Sequence, residues 1–285
     1  MTAAMHRVLD TIEKLDLNAN VTELETKGYT TIKAVLSETQ IKRAQQAIVA
    51  SAEKKMGKTV DLATGEGFRG WHYVPHMLYD DEVFEDILME PQSLALVTYL
   101  LGESCLLSSI GCHFKAPGGE PLLLHSDNSN GMPSPFPSYA QIANVNYALS
   151  PYSKEEGALV MVPGSHRYMR HPRSDESQLN GDAVNPDAIA MNLDPGDCVI
   201  WHGNTWHGSF TREIPGIRMN LAVYFCRQYV MTQETHKGNV PQEILDRHED
   251  DERFKILLGG KQPYGWGKEG SKPGLMARNP KELFD

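Results

Sequence analysis

The sequence predicts a mainly β protein in which helices flank a central antiparallel barrel or sandwich. Short β-rich segments recur between residues 105 and 226, and Pro and Gly turns separate them. This spacing is typical of a closed or sandwiched antiparallel sheet rather than of β-α-β units. The chain has no internal repeat and no linker. We therefore predict one domain over 1–285, with a mainly helical front end (1–104), a β barrel core (105–229) and a C-terminal helix with an irregular tail (230–285).

The helices are predicted from the residues at their ends. Ser37 and Gln40 fit the capping-box pattern that begins a helix, and this helix should end before Gly57. Pro91 is favourable in the first turn of another helix, which should end before Gly102. The predicted helices are 38–56, 82–89, 91–101 and 241–258.

The predicted strands are 105–114, 122–125, 139–149, 158–162, 189–193, 198–201 and 217–226. In the last of these, apolar residues alternate with Arg218, Asn220, Ala222 and Tyr224. One face of the strand is therefore apolar, and the other carries an arginine. An arginine on the inward face of a barrel is costly to bury without an anionic partner. This partner is either an acidic side chain of the protein or the carboxylate of a ligand.

The composition argues against several classes of partner. The 285 residues are 40% hydrophobic and 22% charged, which is typical of a globular protein, and the formal net charge of −10 gives no basic surface for nucleic acid or an anionic membrane. The four cysteines are scattered, so we expect reduced thiols. No signal peptide or membrane span is recognisable, and we expect a cytoplasmic protein. The expected partner is a small-molecule substrate, and the sequence leaves monomer and homodimer open.

A candidate metal site follows the second predicted strand. His125 and Asp127 are two residues apart, so both side chains point the same way from an extended chain. The same pattern occurs at His248 and Asp250, but within the charged segment 246–253, where a solvated helix face is favoured. A 2-His-1-carboxylate site for Fe(II) needs a second histidine from elsewhere in the fold.

His202 and His207 are the candidates for this second histidine. Both follow the predicted strand at 198–201. His202 comes directly after the apolar strand, a position that suits a structural role or support of a metal ligand. We therefore favour His207 as the metal ligand.

In order and spacing, these residues resemble the phytanoyl-CoA dioxygenase family of Fe(II)/2-oxoglutarate oxygenases. The resemblance is carried by His125-Ser126-Asp127, by residues 157–166, by Gly196-Asp197, by His207-Gly208-Ser209 and by Arg218. It also includes residues 76–103, and it covers most of the chain from about Gly28 to Tyr229.

The resemblance implies a double-stranded β-helix, which is a jelly-roll barrel flanked by helices. It implies that His125, Asp127 and His207 bind iron, and that Ser209 and Arg218 bind the far carboxylate of 2-oxoglutarate. Asn146 occupies a position where the family often has another contact to this cosubstrate, although an inward structural asparagine fits equally well.

Other residues have a structural as well as a functional explanation. His166 lies in a Pro-Gly turn, and we expect it to stabilise this loop. Trp71, His72 and Tyr73 precede the barrel, where the family's entrance loops line the substrate pocket, but surface packing explains them almost as well. Cys112 is expected to be a small buried residue.

The activity implied by the resemblance is a dioxygenase that uses Fe(II), 2-oxoglutarate and O₂ to oxidise, by default to hydroxylate, an unactivated C–H bond. Asp127 argues against the halogenase variant, which lacks this ligand. The sequence has no compact Lys/Arg cluster near the entrance that would bind the phosphates of an acyl-CoA. We therefore favour a small apolar natural-product intermediate, such as a terpenoid or alkaloid, as the substrate. The alternatives are an acyl-CoA 2-hydroxylase of the phytanoyl-CoA type, a cupin-like metalloenzyme without 2-oxoglutarate, and a barrel that only binds a ligand.

Overall fold

The computed structural model describes residues 3–128, 132–181 and 184–260. Its helices are α1 (Ala3–Lys14), α2 (Asn18–Lys27), α3 (Glu38–Met56), α4 (Glu82–Leu88), α5 (Pro91–Leu101), α6 (Gln242–Arg247) and α7 (Glu252–Leu257). Its strands are β1 (Tyr29–Ile32), β2 (Trp71–Val74), β3 (Leu106–Lys115), β4 (Leu122–His125), β5 (Ile142–Ala148), β6 (Leu159–Met161), β7 (Ile189–Ala190), β8 (Cys198–His202), β9 (His207–Ser209) and β10 (Asn220–Cys226).

The strands form two antiparallel sheets. Over the described ranges, the larger sheet has six strands in the order β1-β8-β5-β10-β3-β2, and the smaller has four in the order β4-β9-β6-β7. From β3 onward the chain passes back and forth between the sheets, because β3, β5, β8 and β10 belong to the larger one and the remaining strands to the smaller. The prediction of a mainly β protein with antiparallel sheets and flanking helices is confirmed.

The helices cover the apolar face of the larger sheet. One cluster of buried apolar side chains includes Ile12 of α1, Ile48 of α3, Phe114 of β3, Val223 of β10 and Leu257 of α7. On β3 and β10 these residues alternate with side chains that point away from the helices, into a cavity between the sheets. The apolar face therefore stabilises the fold, and the opposite face is available for chemistry.

The predicted helix ends are confirmed in the front half of the chain. Ser37 caps α3, and its side chain and that of Gln40 form both hydrogen bonds of a capping box. Gly57 ends this helix in the left-handed conformation, with φ of 65°. Pro91 occupies the first turn of α5, where its missing N–H costs nothing.

The prediction of one C-terminal helix over 241–258 is wrong. Two short helices, α6 and α7, occupy this segment, and the side chain of Asp251 caps the second by accepting from Phe254 N. His248 lies between them rather than on a solvated helix face. Its Nε2 is 2.8 Å from Glu85 Oε2, and its ring stacks on Phe254. A buried carboxylate thus fixes His248, and the predicted irregular tail at 261–285 lies outside the described residues.

All four cysteines are buried with free thiols, as expected from their scattered positions. Among the helices that the structure describes, none has the length and apolar character needed to cross a bilayer.

Candidate active site

Strands β4 and β9 bring two histidines face to face. His125 lies opposite His207 in the antiparallel register, and their ring centroids are 4.3 Å apart. Asp127 follows β4, and its Oδ1 lies 3.5 Å from Nε2 of His207. One ligand atom from each of these residues lies within 4.8 Å of the other two, so the three could hold one metal ion. Within residues 3–128, 132–181 and 184–260, no other such group of His, Cys, Asp or Glu occurs.

Backbone carbonyls fix the tautomers of both histidines. Nδ1 of His125 lies 2.9 Å from the carbonyl oxygen of Leu123, and Nδ1 of His207 lies 3.0 Å from that of Thr205. Because a carbonyl oxygen only accepts hydrogen bonds, each Nδ1 carries a proton, and Nε2 is the nitrogen available to a metal. Burial lowers the pKa of His207 to about 4, although Asp127 acts in the opposite direction. His207 is therefore neutral at pH 7, as a metal ligand must be.

Two side-chain donors hold the carboxylate of Asp127. Its Oδ2 accepts from Nδ2 of Asn144 at 2.7 Å and from Nε1 of Trp201 at 2.9 Å. Asn144 and Trp201 lie opposite each other on β5 and β8, so the larger sheet positions a carboxylate that follows a strand of the smaller one. Oδ1 of Asp127 remains directed at the two histidines.

Gly208 allows β9 to approach β4 closely. A Cβ atom at this position would lie 2.3 Å from the carbonyl oxygen of Leu122. A side chain here would therefore force apart the strands that carry His125 and His207, which explains the glycine between His207 and Ser209.

Beside the three candidate ligands, one buried cation, Arg218, lines the cavity, and a second, Lys115, contacts the lining residue Ser209. Arg218 is 2% exposed and Lys115 is fully buried. Nζ of Lys115 donates to Oγ of Ser209 at 2.7 Å, and the guanidinium of Arg218 lies over the ring of Tyr152 at 4.6 Å. Neither cation forms an ion pair within the described residues, and Nε of Arg218 is buried without a hydrogen-bond partner.

The sequence left open whether Arg218 pairs with an acidic side chain of the protein or with the carboxylate of a ligand. The internal salt bridge, one of the two explanations, does not form among the described residues. Burial, followed by the repulsion of Arg218, lowers the pKa of Lys115 to about 7. Two cations side by side without a counter-charge make an electrostatic site for an anion.

Asn146 lines the same cavity. Its Oδ1 accepts from the hydroxyl of Tyr152 at 3.0 Å, which leaves its amide nitrogen for another partner. Tyr152 thus contacts both Asn146 and Arg218. Asn146 can therefore hold Tyr152 in place through its Oδ1 and also present its amide nitrogen to the cavity.

The remaining histidines of the prediction lie in structural positions. Nδ1 of His202 accepts from the backbone nitrogen of Asn204 at 3.0 Å. His166 lies in the 3₁₀ helix Ser165–Tyr168, with Nε2 3.3 Å from the carbonyl oxygen of Glu25. In the entrance segment, Trp71 and Tyr73 line the cavity, whereas His72 packs edge-on against Phe68.

The sequence prediction missed Lys115, Tyr152, Asn144 and Trp201 as parts of the site. A pattern for Lys115 was present, because Ser109, Gly111, His113 and Lys115 alternate with the buried Ile110, Cys112 and Phe114 along β3. The predicted strand ended one residue earlier, at 114. The contacts of Asn144 and Trp201 depend on the meeting of two sheets, which no local pattern indicates.

Comparison with protein families and curated proteins gives a consistent match. The family model described as phytanoyl-CoA dioxygenase (PhyH) matches residues 24–220. The curated protein dioxygenase af480 of Aspergillus fumigatus is 28% identical over 177 residues, which cover 61% of this chain and 53% of that protein. A second relative, dioxygenase aneA of Aspergillus aculeatus, is matched over 43% of its length. The chain thus spans about half the length of the curated relatives it matches.

Solved structures resemble the fold. The carbocyclase SnoK from nogalamycin biosynthesis, described as non-heme and alpha ketoglutarate dependent, has a TM-score of 0.57 and 23% identity, over 78% of this chain and 89% of that one. HygX from Streptomyces hygroscopicus, solved with nickel and 2-oxoglutarate, has a TM-score of 0.60 and 16% identity, over 75% of this chain and 88% of that one. At these identities the likeness concerns the fold.

Proposed function

Because the chain belongs to the phytanoyl-CoA dioxygenase family, we propose that it is a non-haem Fe(II)- and 2-oxoglutarate-dependent dioxygenase with His125, Asp127 and His207 as its iron ligands. Oxygenases of this family use Fe(II), 2-oxoglutarate and O₂. One observation carries the proposal for this chain. Arg218, a buried arginine without an acidic partner among the described residues, lines the same cavity as two histidines and a carboxylate that could hold a metal, and the buried Lys115 contacts Ser209 on the wall of that cavity.

The donor set supports iron as the metal. Two imidazole nitrogens and one carboxylate oxygen are the ligands of the facial triad in non-haem Fe(II) oxygenases, in which other coordination positions remain open. Thiolate ligands, which would favour zinc or an iron–sulfur cluster, are absent from the group that the described residues form.

The cation pair supports 2-oxoglutarate as the cosubstrate. The planar guanidinium of Arg218 would bind the far carboxylate in a bidentate manner, and its unpartnered Nε supplies one of the donors. Ser209 would donate its hydroxyl while accepting from Lys115, which places a second positive charge beside the same carboxylate. The amide nitrogen of Asn146 would add a further hydrogen bond.

When bound, iron, 2-oxoglutarate and O₂ would together supply the oxidant for the C–H bond, with 2-oxoglutarate converted to succinate and CO₂. The side chains of the protein orient the metal ligand and the cosubstrate. Asn144 and Trp201 hold Asp127 so that its free oxygen faces the metal position. Arg218, Lys115 and Ser209 orient the dicarboxylate, and burial strengthens each of these contacts by excluding water.

The expected outcome is hydroxylation of a small, mainly apolar natural-product intermediate such as a terpenoid or alkaloid. Two proteins of similar fold, described as a carbocyclase and an epimerase from nogalamycin biosynthesis, support a natural-product substrate. These reactions also leave rearrangement and epimerisation as alternative outcomes. An acyl-CoA substrate is disfavoured because the described residues lining the cavity include only one arginine and no lysine cluster for its phosphates.

The topology supports the finer description of the fold as a double-stranded β-helix. Strands β3 to β10 pass repeatedly between two antiparallel sheets, which is the arrangement of a jelly roll. The shared core from Ile12 to Leu258 supports a single domain. A cytoplasmic location and the choice between monomer and homodimer stay predictions.

The test is an anaerobic titration. Fe(II)-loaded protein should develop a weak visible charge-transfer band when 2-oxoglutarate is added, and aerobic turnover should release succinate. A cupin-like enzyme without this cosubstrate would bind iron but show no band, and a ligand-binding barrel would bind neither.

A further inference from the structure

Three aromatic side chains form one wall of the cavity. Trp71 and Tyr73 of β2 and His113 of β3 all line it, and Tyr73 lies directly opposite His113 in the register. The rings of Trp71 and Tyr73 are nearly parallel, at 9°, with centroids 6.4 Å apart. The imidazole of His113 is 5.4 Å from Trp71 and 4.9 Å from Tyr73. We call these three residues the aromatic wall.

Gly111 makes room for this wall. A Cβ atom at Gly111 would lie 2.5 Å from the hydroxyl oxygen of Tyr73 and 2.6 Å from its ring. Its backbone is ordinary for a strand, so space rather than conformation requires the glycine. The facing residue on β10 is Ala222, which is also small. The ring of Tyr73 therefore lies over the strand without filling the cavity.

Trp71 fixes the tautomer of His113. Its indole Nε1 donates to Nδ1 of His113 at 2.7 Å. An indole N–H only donates, so Nδ1 of His113 must be the acceptor. Burial, with further contributions from Arg218 and Lys115, lowers the pKa of His113 to about 3, and the imidazole is neutral at pH 7. The single ring proton is therefore on Nε2.

The Nε2–H group of His113 is a donor without a partner. No hydrogen bond within the described residues uses it, and His113 itself is half-buried on the cavity. Beside it, the indole of Trp71 is 46% exposed although its nitrogen is anchored. A fixed donor next to an exposed, fixed aromatic surface is typical of a ligand-binding pocket.

We propose that the aromatic wall selects the substrate, with a flat, uncharged ring system lying against Trp71 and Tyr73 and with a carbonyl or ether oxygen of that ring system accepting from His113 Nε2. This inference rests on the proposed function, because it places the substrate beside the metal position. The charged residues that line the cavity are Asp127 and Arg218, which the metal and the cosubstrate use. The wall offers a charged substrate no partner.

The experiment compares two probes that share a planar bicyclic skeleton. 1-Indanone carries a carbonyl oxygen, and indane carries none. Their dissociation constants are measured by saturation-transfer NMR on protein loaded with diamagnetic Zn(II) and 2-oxoglutarate. Wild type should bind 1-indanone about two- to tenfold more tightly than indane, the preference expected from one neutral hydrogen bond.

Variants distinguish the contribution of the His113 Nε2–H donor from that of the flat aromatic surface. His113→Phe keeps a flat ring without a donor, so the preference for 1-indanone should disappear while indane still binds. His113→Gln restores an N–H near the same position and should recover part of the preference. His72→Phe changes the neighbouring histidine, which faces away from the cavity, and should leave both constants unchanged. Gly111→Ala should weaken both probes, because the new methyl group displaces Tyr73.

Equal affinities of the two probes for wild type would overturn the inference, and so would a preference retained in folded His113→Phe. Failure of both probes to bind would also overturn it. Binding of 2-oxoglutarate is measured separately, on Fe(II)-loaded protein through its absorption band. If the cosubstrate binds and the probes do not discriminate, only the inference on the aromatic wall fails. If the cosubstrate does not bind, the proposed function fails.

Discussion

The Nδ2 of Asn144 donates to the Oδ2 of Asp127 at 2.7 Å, across the gap between the two sheets. Trp201 donates to the same oxygen. Because both donors bind Oδ2, Oδ1 of Asp127 points towards His125 and His207. Asn144 and Trp201, which are not candidate ligands, therefore orient the carboxylate of the candidate metal site.

Asn144→Ala and Trp201→Phe should each lower the affinity for Fe(II), by about 10- to 100-fold, the usual cost of losing an outer partner of a metal ligand. The measurement is an anaerobic competition titration with a chromophoric chelator. Asn146→Ala provides the matched control, because Asn146 lies two residues away on the same strand but contacts Tyr152 instead of Asp127. Equal iron affinity in all three variants would show that Asp127 needs no such support.

Replacing His125, Asp127 or His207 singly with Ala should remove high-affinity iron binding and turnover, because each substitution removes one of the three proposed protein ligands. Iron content is measured after anaerobic loading and desalting. His202→Ala and His248→Ala should retain iron, since their imidazoles contact Asn204 and Glu85. Loss of iron from folded His202→Ala together with its retention in His207→Ala would mean that the wrong histidine was chosen.

Lys115 should make the binding of 2-oxoglutarate depend on pH. Its pKa is lowered to about 7, so the ammonium is charged below this pH and becomes neutral as the pH rises through it. The charged form attracts the carboxylate, and the dissociation constant should therefore increase from about pH 6 to pH 9. Lys115→Met should bind more weakly at pH 6 and show a flatter profile. A wild-type profile identical to that of Lys115→Met would exclude Lys115 from cosubstrate binding.

The same lowered pKa predicts a contribution to folding stability. In the unfolded chain Lys115 remains protonated up to its ordinary pKa near 10.4, so between about pH 7 and pH 10 the unfolded state binds more protons than the folded state. The free energy of unfolding of wild type should therefore rise with pH in this window relative to that of Lys115→Met. Urea denaturation of both proteins at pH 7 and pH 9, without cosubstrate, measures the difference. A difference that does not change with pH would contradict the lowered pKa.

The candidate ligands could be predicted from the sequence because the chemistry requires particular residue types in a short motif. His125 and Asp127 share one extended segment. Arg218 was predicted inside the strand 217–226, but β10 begins at Asn220, and Arg218 lies just before it in an isolated bridge to Lys115. The alternation around Arg218 also predicted which of its neighbours line the cavity, since Asn220, Ala222 and Tyr224 all do.

The parts that could not be predicted depend on contacts between distant segments. β1 and β2 have four residues each within the helical front end, and only pairing with β8 and β3 makes them strands. β9 consists of His-Gly-Ser, which has little β propensity, and it exists because Gly208 allows close contact with β4. The alternation along β3 extends to Lys115, but a fully buried lysine is rare, and its position beside Arg218 depends on the pairing of two distant segments.

If Arg218 binds the far carboxylate of 2-oxoglutarate, as proposed, its loss should weaken the binding of this cosubstrate. The measurement is a titration of 2-oxoglutarate into iron-loaded protein, followed by the charge-transfer band. In Arg218→Ala a charge-assisted, bidentate contact is lost, and binding should weaken by about 2–5 kcal/mol. Arg218→Lys should recover only part, because an ammonium lacks the planar fork. Arg167→Ala removes the same charge at the backbone of Thr26, outside the cavity, and should bind normally. Iron binding should survive in all three variants. Unchanged affinity for 2-oxoglutarate in a folded, iron-loaded Arg218→Ala protein would contradict the account.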